Sequence, residues 1–119
     1  MAAEPKQIGL SREAWGPRFW KVLHALTEQS GNQINQIISN DEADAWILLL
    51  KTQAFVMPCA LCKQHFLEWL HARRPETIRT LQSSARRDWI RTWLWSCHDR
   101  VNSMNKKVSP PIESLLAEL

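Results

Sequence analysis

Ala85-Arg86-Arg87-Asp88-Trp89-Ile90-Arg91-Thr92-Trp93-Leu94-Trp95-Ser96-Cys97-His98-Asp99-Arg100-Val101-Asn102-Ser103-Met104 is the stretch on which the fold turns. Trp89, Ile90, Trp93, Leu94, Cys97 and Val101 recur at intervals of three and four. That period places them on one side of an α-helix. Upstream, Pro75 breaks the pattern, and Glu76 to Ser84 reads as a loop or short turn. Three more helices precede it. The first runs from about Arg12 to Gln29, with Ser11 as its cap, Pro17 in its early turns, and Phe19, Trp20, Leu23 and Leu26 at helical spacing. A linker containing Ile34, Ile37 and Ile38 follows. The second helix starts at Asn40 or Asp41 and buries Trp46, Ile47, Leu50, Ala54 and Phe55. The third runs from Cys59 to Arg73 around Leu61, Phe66, Leu67 and Leu70. Ser109-Pro110-Pro111 closes the core, and residues 112–119 form either a short docked helix or a frayed tail.

No window alternates apolar and polar residues as a half-buried strand does, and only three Gly occur. The fold class is therefore all-α: a four-helix bundle plus a short C-terminal helix or tail. At 119 residues and 45% hydrophobic content, residues 1–119 make one domain, with 1–10 and 109–119 peripheral. A net charge of +3 is mildly basic. It suits anionic ligands without requiring nucleic acid. Arg73, Arg74, Arg86 and Arg87 read as a solvated rim. No run approaches the roughly 18 apolar residues of a membrane helix, and Met1 to Leu10 lacks the apolar region of a leader. Cytoplasmic placement and no membrane partner follow as expectations.

Three cysteines are too few for a secreted disulfide scaffold. Met57-Pro58-Cys59-Ala60-Leu61-Cys62 places two of them three residues apart, on one helix face and within bridging distance. Cys59 falls at a helix start, where free N–H groups and the positive dipole end favour a thiolate. Reversible disulfide chemistry is the reading preferred here. The alternative is a zinc-stabilised interaction module in which Cys59, Cys62 and Cys97 combine with His98 or His65. Cys97 by itself reads as a small buried thiol.

Two aromatic stretches accompany the pair. In Trp15-Gly16-Pro17-Arg18-Phe19-Trp20-Lys21-Val22-Leu23-His24, Trp20 and His24 meet at i, i+4. In the fourth helix Trp95, His98 and Asn102 share a stripe. An aromatic plane beside an imidazole and an amide suits a heteroaromatic ligand. Seven Trp in so short a chain serve equally as core.

Taken in order, these segments resemble the Erv/ALR family of FAD-linked sulfhydryl oxidases. Trp15-Gly16-Pro17, Trp20 and Leu23-His24 match its opening. Pro58 to Cys62 with His65-Phe66 match its redox motif. His98, Val101 and Asn102, with Lys107 following, match its closing helix. The likeness spans Ser11 to Lys107, and the small size is similar to the compact members from large cytoplasmic DNA viruses. A second, shuttling cysteine pair is absent.

The resemblance implies FAD at the mouth of the bundle and, normally, a homodimer. Trp15, Gly16, Pro17, Phe19, Trp20, His24, Phe55, His65, Trp95, His98, Val101 and Asn102 would contact the cofactor, with Lys107 near its phosphates. Cys59 would exchange with a protein dithiol or a separate thioredoxin-like carrier, and Cys62 would face the flavin. Molecular oxygen would receive the electrons as hydrogen peroxide. No metal is implied. If the chain is viral, its place is the host cytoplasm or the virion.

Overall fold

A computed structural model describes residues 12–32, 36–57, 59–104 and 106–117. Among these no strand occurs. The elements are α1 (Arg12–Thr27), α2 (Gln36–Val56), α3 (Ala60–Ala72), a 3-10 helix (Pro75–Thr80), α4 (Ser83–Met104) and α5 (Ile112–Ala117). The all-α expectation holds. No described helix is long and apolar enough to cross a membrane.

The core follows from the apolar spacing of each helix. From α4 come Ile90, Trp93, Leu94 and Cys97. Ala43, Trp46, Ile47, Leu50 and Ala54 come from α2, Phe66, Trp69 and Leu70 from α3, and Trp20 and Leu23 from α1. Helix α1 lies on α4, while α2 lies on α3 and on the 3-10 helix. Trp93 fastens α4 to the end of α3, its indole N–H donating to the Arg73 carbonyl at 2.8 Å.

Several boundaries differ from the sequence reading. Helix α1 stops at Thr27, where the Ser30 hydroxyl donates to the Thr27 carbonyl at 2.6 Å. Helix α2 begins at Gln36, so Ile37 and Ile38 belong to it and Asn40 and Asp41 lie inside it. Helix α3 begins one residue later than expected because Cys59 is its cap. The span after Pro75 is ordered by two buried residues, Pro75 and Ile78, seated under α2. Phe55, Leu61 and Leu67 were expected to be buried and are exposed. The buried face of α3 is instead Phe66, Trp69 and Leu70, a register that turns Leu61 and Leu67 outward. Residues 112–117 form a helix without a buried residue. The expected roles of Ser11, Ile34 and Pro58 fall outside the described residues.

Arg86 corrects the picture of a solvated rim. Only 1% of its surface is exposed. Its guanidinium donates to the Ser39 carbonyl at 2.7 Å, to Glu42 at 3.0 Å and twice to the Leu81 carbonyl. A buried charge survives only when paired and hydrogen-bonded, and this one ties the start of α4 to α2. Glu42 also accepts the Gly31 N–H at 2.9 Å. Gly31 has φ +79°, and a Cβ there would lie 2.0 Å from the Ser83 carbonyl oxygen. Only glycine lets this turn approach α4 so closely.

Candidate functional site

Helix α3 carries the cysteine pair at its first turn. Cys59 and Cys62 are joined by a disulfide, with Cα atoms 5.2 Å apart. Cys59 is extended (φ −114°, ψ 120°), and its sulfur accepts the Cys62 N–H at 3.2 Å. The sulfur thus occupies the place of a capping oxygen, facing the unpaired amides of the helix start. Negative charge released there on reduction meets the positive end of the helix. Both cysteines are half-buried.

Cys62 lines a cavity with Trp15, Gly16, Phe19 and Trp20 of α1, Phe66 of α3, Val101 of α4, and Met57. Phe19 meets Trp15 and Trp20 edge to face at 5.7 and 5.2 Å. Behind Trp20 two imidazoles assemble. His98 stacks on Trp20 with centroids 4.3 Å apart and planes 5° from parallel. His24 stands 6.3 Å from Trp20 and 6.1 Å from His98. His24 is 1% exposed, and neither of its ring nitrogens has a hydrogen-bond partner. Burial holds His24 below the usual imidazole range against the opposing pull of Glu28. His98 is pushed down to about 4, first by burial, then by His24, with Asp99 opposing and Lys107 assisting.

The sequence-selected residues therefore divide. Trp15, Gly16, Phe19, Trp20 and Val101 gather at the cavity beside Cys62, and His24 and His98 stand behind them. Lys107 lies near enough to bias His98. Pro17 is exposed on α1. Trp95 and Asn102 face the chain that follows α4: the Trp95 indole donates to the Pro110 carbonyl at 3.1 Å, and the Asn102 amide donates to the Ser109 hydroxyl at 3.0 Å. Phe55 does not join the site. It lies 76% exposed and lines a separate cleft between α2 and α3. His65 is half-buried on α3 and does not line the cavity.

Met57 and Phe66 complete the cavity wall without having been selected as ligand contacts. Phe66 was legible, since it follows Cys62 by four residues on the same helix face. The zinc alternative does not assemble. Cys59 and Cys62 bond to each other, and among the described residues no group of three or more His, Cys, Asp or Glu is placed to hold a metal. Cys97 is buried, and burial pushes its thiol up to about 12.

The chemistry of the wall fits a flat heteroaromatic cofactor. It offers aromatic faces and open space around Gly16, where an added Cβ meets nothing within 4 Å, and behind Trp20 stand the two unpartnered buried nitrogens of His24. The cavity is small, about 40 Å³, well below the ~300 Å³ at which ligand pockets begin. Accepting a flat ring system therefore requires the cavity wall to open.

Fold and site together define an all-helical dithiol–disulfide protein with an aromatic cavity behind its inner sulfur. Residues 17–115 match the Erv1 / Alr family, and the chain belongs to it. Over 95 residues, 79% of this chain and 71% of the relative, it is 28% identical to the FAD-linked sulfhydryl oxidase of African swine fever virus. No solved structure gives a significant match.

Proposed function

We propose that this chain is an FAD-linked thiol oxidase that forms disulfides in protein dithiols and passes the electrons to oxygen, giving hydrogen peroxide. The observation that carries the reading is the placement of the two sulfurs. Cys59, half-buried, caps the start of α3, while Cys62 lines the aromatic cavity. Family membership and the viral relative support the same activity.

The exchange begins when a substrate thiolate attacks the Cys59 sulfur. A substrate–Cys59 bond forms, the Cys59–Cys62 bond breaks, and Cys62 leaves as thiolate with the bonding pair. The second substrate thiolate then attacks the substrate sulfur of that mixed disulfide. The substrate leaves oxidised, and Cys59 leaves as a thiolate steadied by the Cys62 N–H and the helix end. The electron pair now resides on the cysteine pair, with Cys62 turned toward the cavity. When bound there, FAD supplies the two-electron acceptor that the protein lacks. Trp15, Gly16, Phe19, Trp20, His24, His98 and Val101 would hold its ring system, and Lys107 would approach its phosphates. Trp95 and Asn102 would act on the same face of α4 through the segment they fasten.

Residues 1–119 act as one domain in this reading, with 1–10 and 109–119 peripheral. Cys97 is buried, and reducing equivalents enter in this reading from a protein dithiol or a separate thioredoxin-like carrier that exchanges with Cys59. A homodimer is supported by the groove of about 370 Å³ between Leu26 of α1 and Ala45, Trp46 and Leu49 of α2. Val22, one turn before Leu26, is also exposed. The compartment proposed is the cytoplasm, which for a viral chain is the host cytoplasm or the virion.

The test uses Cys59→Ser and Cys62→Ser. Each should abolish oxidation of dithiothreitol while the purified protein stays yellow with bound flavin. Turnover surviving in either variant refutes the assignment.

A further inference from the structure

We propose that the cleft between α2, α3 and the 3-10 helix is where the substrate protein docks, and that it selects dithiol partners bearing a large apolar side chain and a carboxylate beside the reactive cysteine. The proposal rests on the thiol-oxidase reading and specifies its substrate class. The cleft has a volume of about 220 Å³ and is lined by Phe55, Leu67 and Leu70, with Lys51, Arg74 and Glu76 at its polar edge.

Three observations point to this occupant. First, the cleft is linked to the reacting cysteine through the end of α2, since Phe55, which lines it, precedes Cys59 by four residues. Phe55 and Val56 end α2, Cys59 follows Val56 by three residues, and Leu61 lies between the two cysteines. A partner held in a mixed disulfide at Cys59 is proposed to extend its flanking residues along α2 and α3 into the cleft. Second, the side chains along this path are large, apolar and outward: Phe55 is 76% exposed, Val56 62%, Leu61 55% and Leu67 48%. Phe55 and Leu61 extend outward from elements whose opposite faces supply the core, so folding does not account for them. Phe55 and Leu67 meet in the cleft, and exposed apolar side chains gathered in a concave site mark a contact surface. Third, the charge at the edge is unbalanced. Lys51 and Arg74 both pair with Glu76, Arg74 only at 3.8 Å and with 63% of its side chain exposed. The rim thus retains a net positive charge and favours a carboxylate on the partner.

Two reduced synthetic peptides with a Cys-x-x-Cys pair make the test, one flanked by Trp, Leu and Asp, the other by Ser, Gly and Lys. Dithiothreitol serves as a small dithiol that needs no docking. The holoprotein should oxidise the first peptide with kcat/KM about tenfold above the second, the ratio one well-buried apolar anchor supplies. Phe55→Ser and Leu67→Ser should remove most of that preference through KM, with dithiothreitol turnover and flavin content unchanged. Arg74→Glu should raise KM for the acidic peptide about threefold at low salt, an effect that fades as salt rises. Equal rates for the two peptides, or an unchanged KM in Phe55→Ser, would overturn the proposal. So would a shift from dimer to monomer in Phe55→Ser during sedimentation, since the cleft would then be a contact between copies. Anisotropy of the same peptides with Ser in place of Cys reads docking without any redox step. If they still discriminate while dithiothreitol is not oxidised, the enzymatic reading fails and the docking surface stands.

Discussion

The Trp20 indole and the His98 imidazole lie face to face, 4.3 Å apart and 5° from parallel, and so join α1 to α4 directly behind the cavity that Cys62 lines. Trp20 is 8% exposed and belongs to the core cluster. One side chain therefore serves as core on one side and cavity wall on the other. Replacing it with alanine leaves a void that the surrounding helices fill only in part. Trp20→Ala should cost about 3 kcal/mol of stability, read as a lower urea midpoint with unchanged slope. Bound flavin should fall with it. Trp20→Phe keeps an aromatic plane and should recover most of both. A Trp20→Ala protein as stable as the parent would mean that α1 is not held by this contact.

The same cluster predicts an acid-labile fold. His98 is held at about 4 in the folded chain against an ordinary 6.5, so the native state resists protonation that the unfolded chain accepts. Stability is then fully present above pH 6.5 and is lost as pH falls from 6.5 toward 4. His24, also depressed, adds in the same direction. The groups facing His98 are His24 from α1, Asp99 on α4 and Lys107 beyond it. Carboxylates depressed by their partners, such as Glu28 beside Arg91, keep their contribution above their ordinary 4.5 and lose it only below that value. The two effects separate by window. Urea midpoints should fall between pH 6.5 and 4.5 in the parent and stay flatter in His98→Asn. A parent curve that is level across that interval would contradict the burial of uncharged imidazoles.

How legible this was depended on whether the deciding neighbour was near or far in sequence. The α4 stripe from Ile90 to Cys97 could be read directly because helical period and burial coincide. The Cys59 cap could be read because its partner amide is three residues away. Phe55 could not: Ala54 and Phe55 are both apolar and adjacent, and only the seating of α2 on α3 and on Ile78 decides which turns inward. Trp95 and Asn102 gave a correct stripe with an unforeseen partner, since Ser109 and Pro110 return to α4 only in the folded chain. Arg86 was read as surface because an arginine paired with Ser39 and Glu42, more than forty residues away, looks like any other arginine in one dimension.

Arg86 leads to a sharper expectation. Removing one member of a buried pair strands the other, so Arg86→Ala should cost about 3–5 kcal/mol and loosen the Gly31 turn that Glu42 holds. Replacing both partners with apolar groups of similar shape removes the stranded charge. Arg86→Met combined with Glu42→Leu should therefore be more stable than Arg86→Ala. A double-mutant cycle on urea midpoints measures the coupling, and additive effects would show that the pair is not an energetic unit.

Cys97 completes the chemistry by its inertness. It is 2% exposed, and its thiol is pushed up to about 12, largely by burial. The thiolate is the reactive form of cysteine, so almost none exists here at neutral pH. Iodoacetamide should leave the native, oxidised protein unmodified and add one label per chain in urea. Rapid labelling without urea would place the sulfur outside the core. Cys97→Ser puts a hydroxyl among Trp93, Leu94 and their neighbours and should cost about 1–3 kcal/mol, yet oxidation of dithiothreitol below the lowered melting range should persist. Should that variant stay folded and flavin-bound but lose turnover, the electron path would have to include a third sulfur, and Cys59 and Cys62 would no longer suffice.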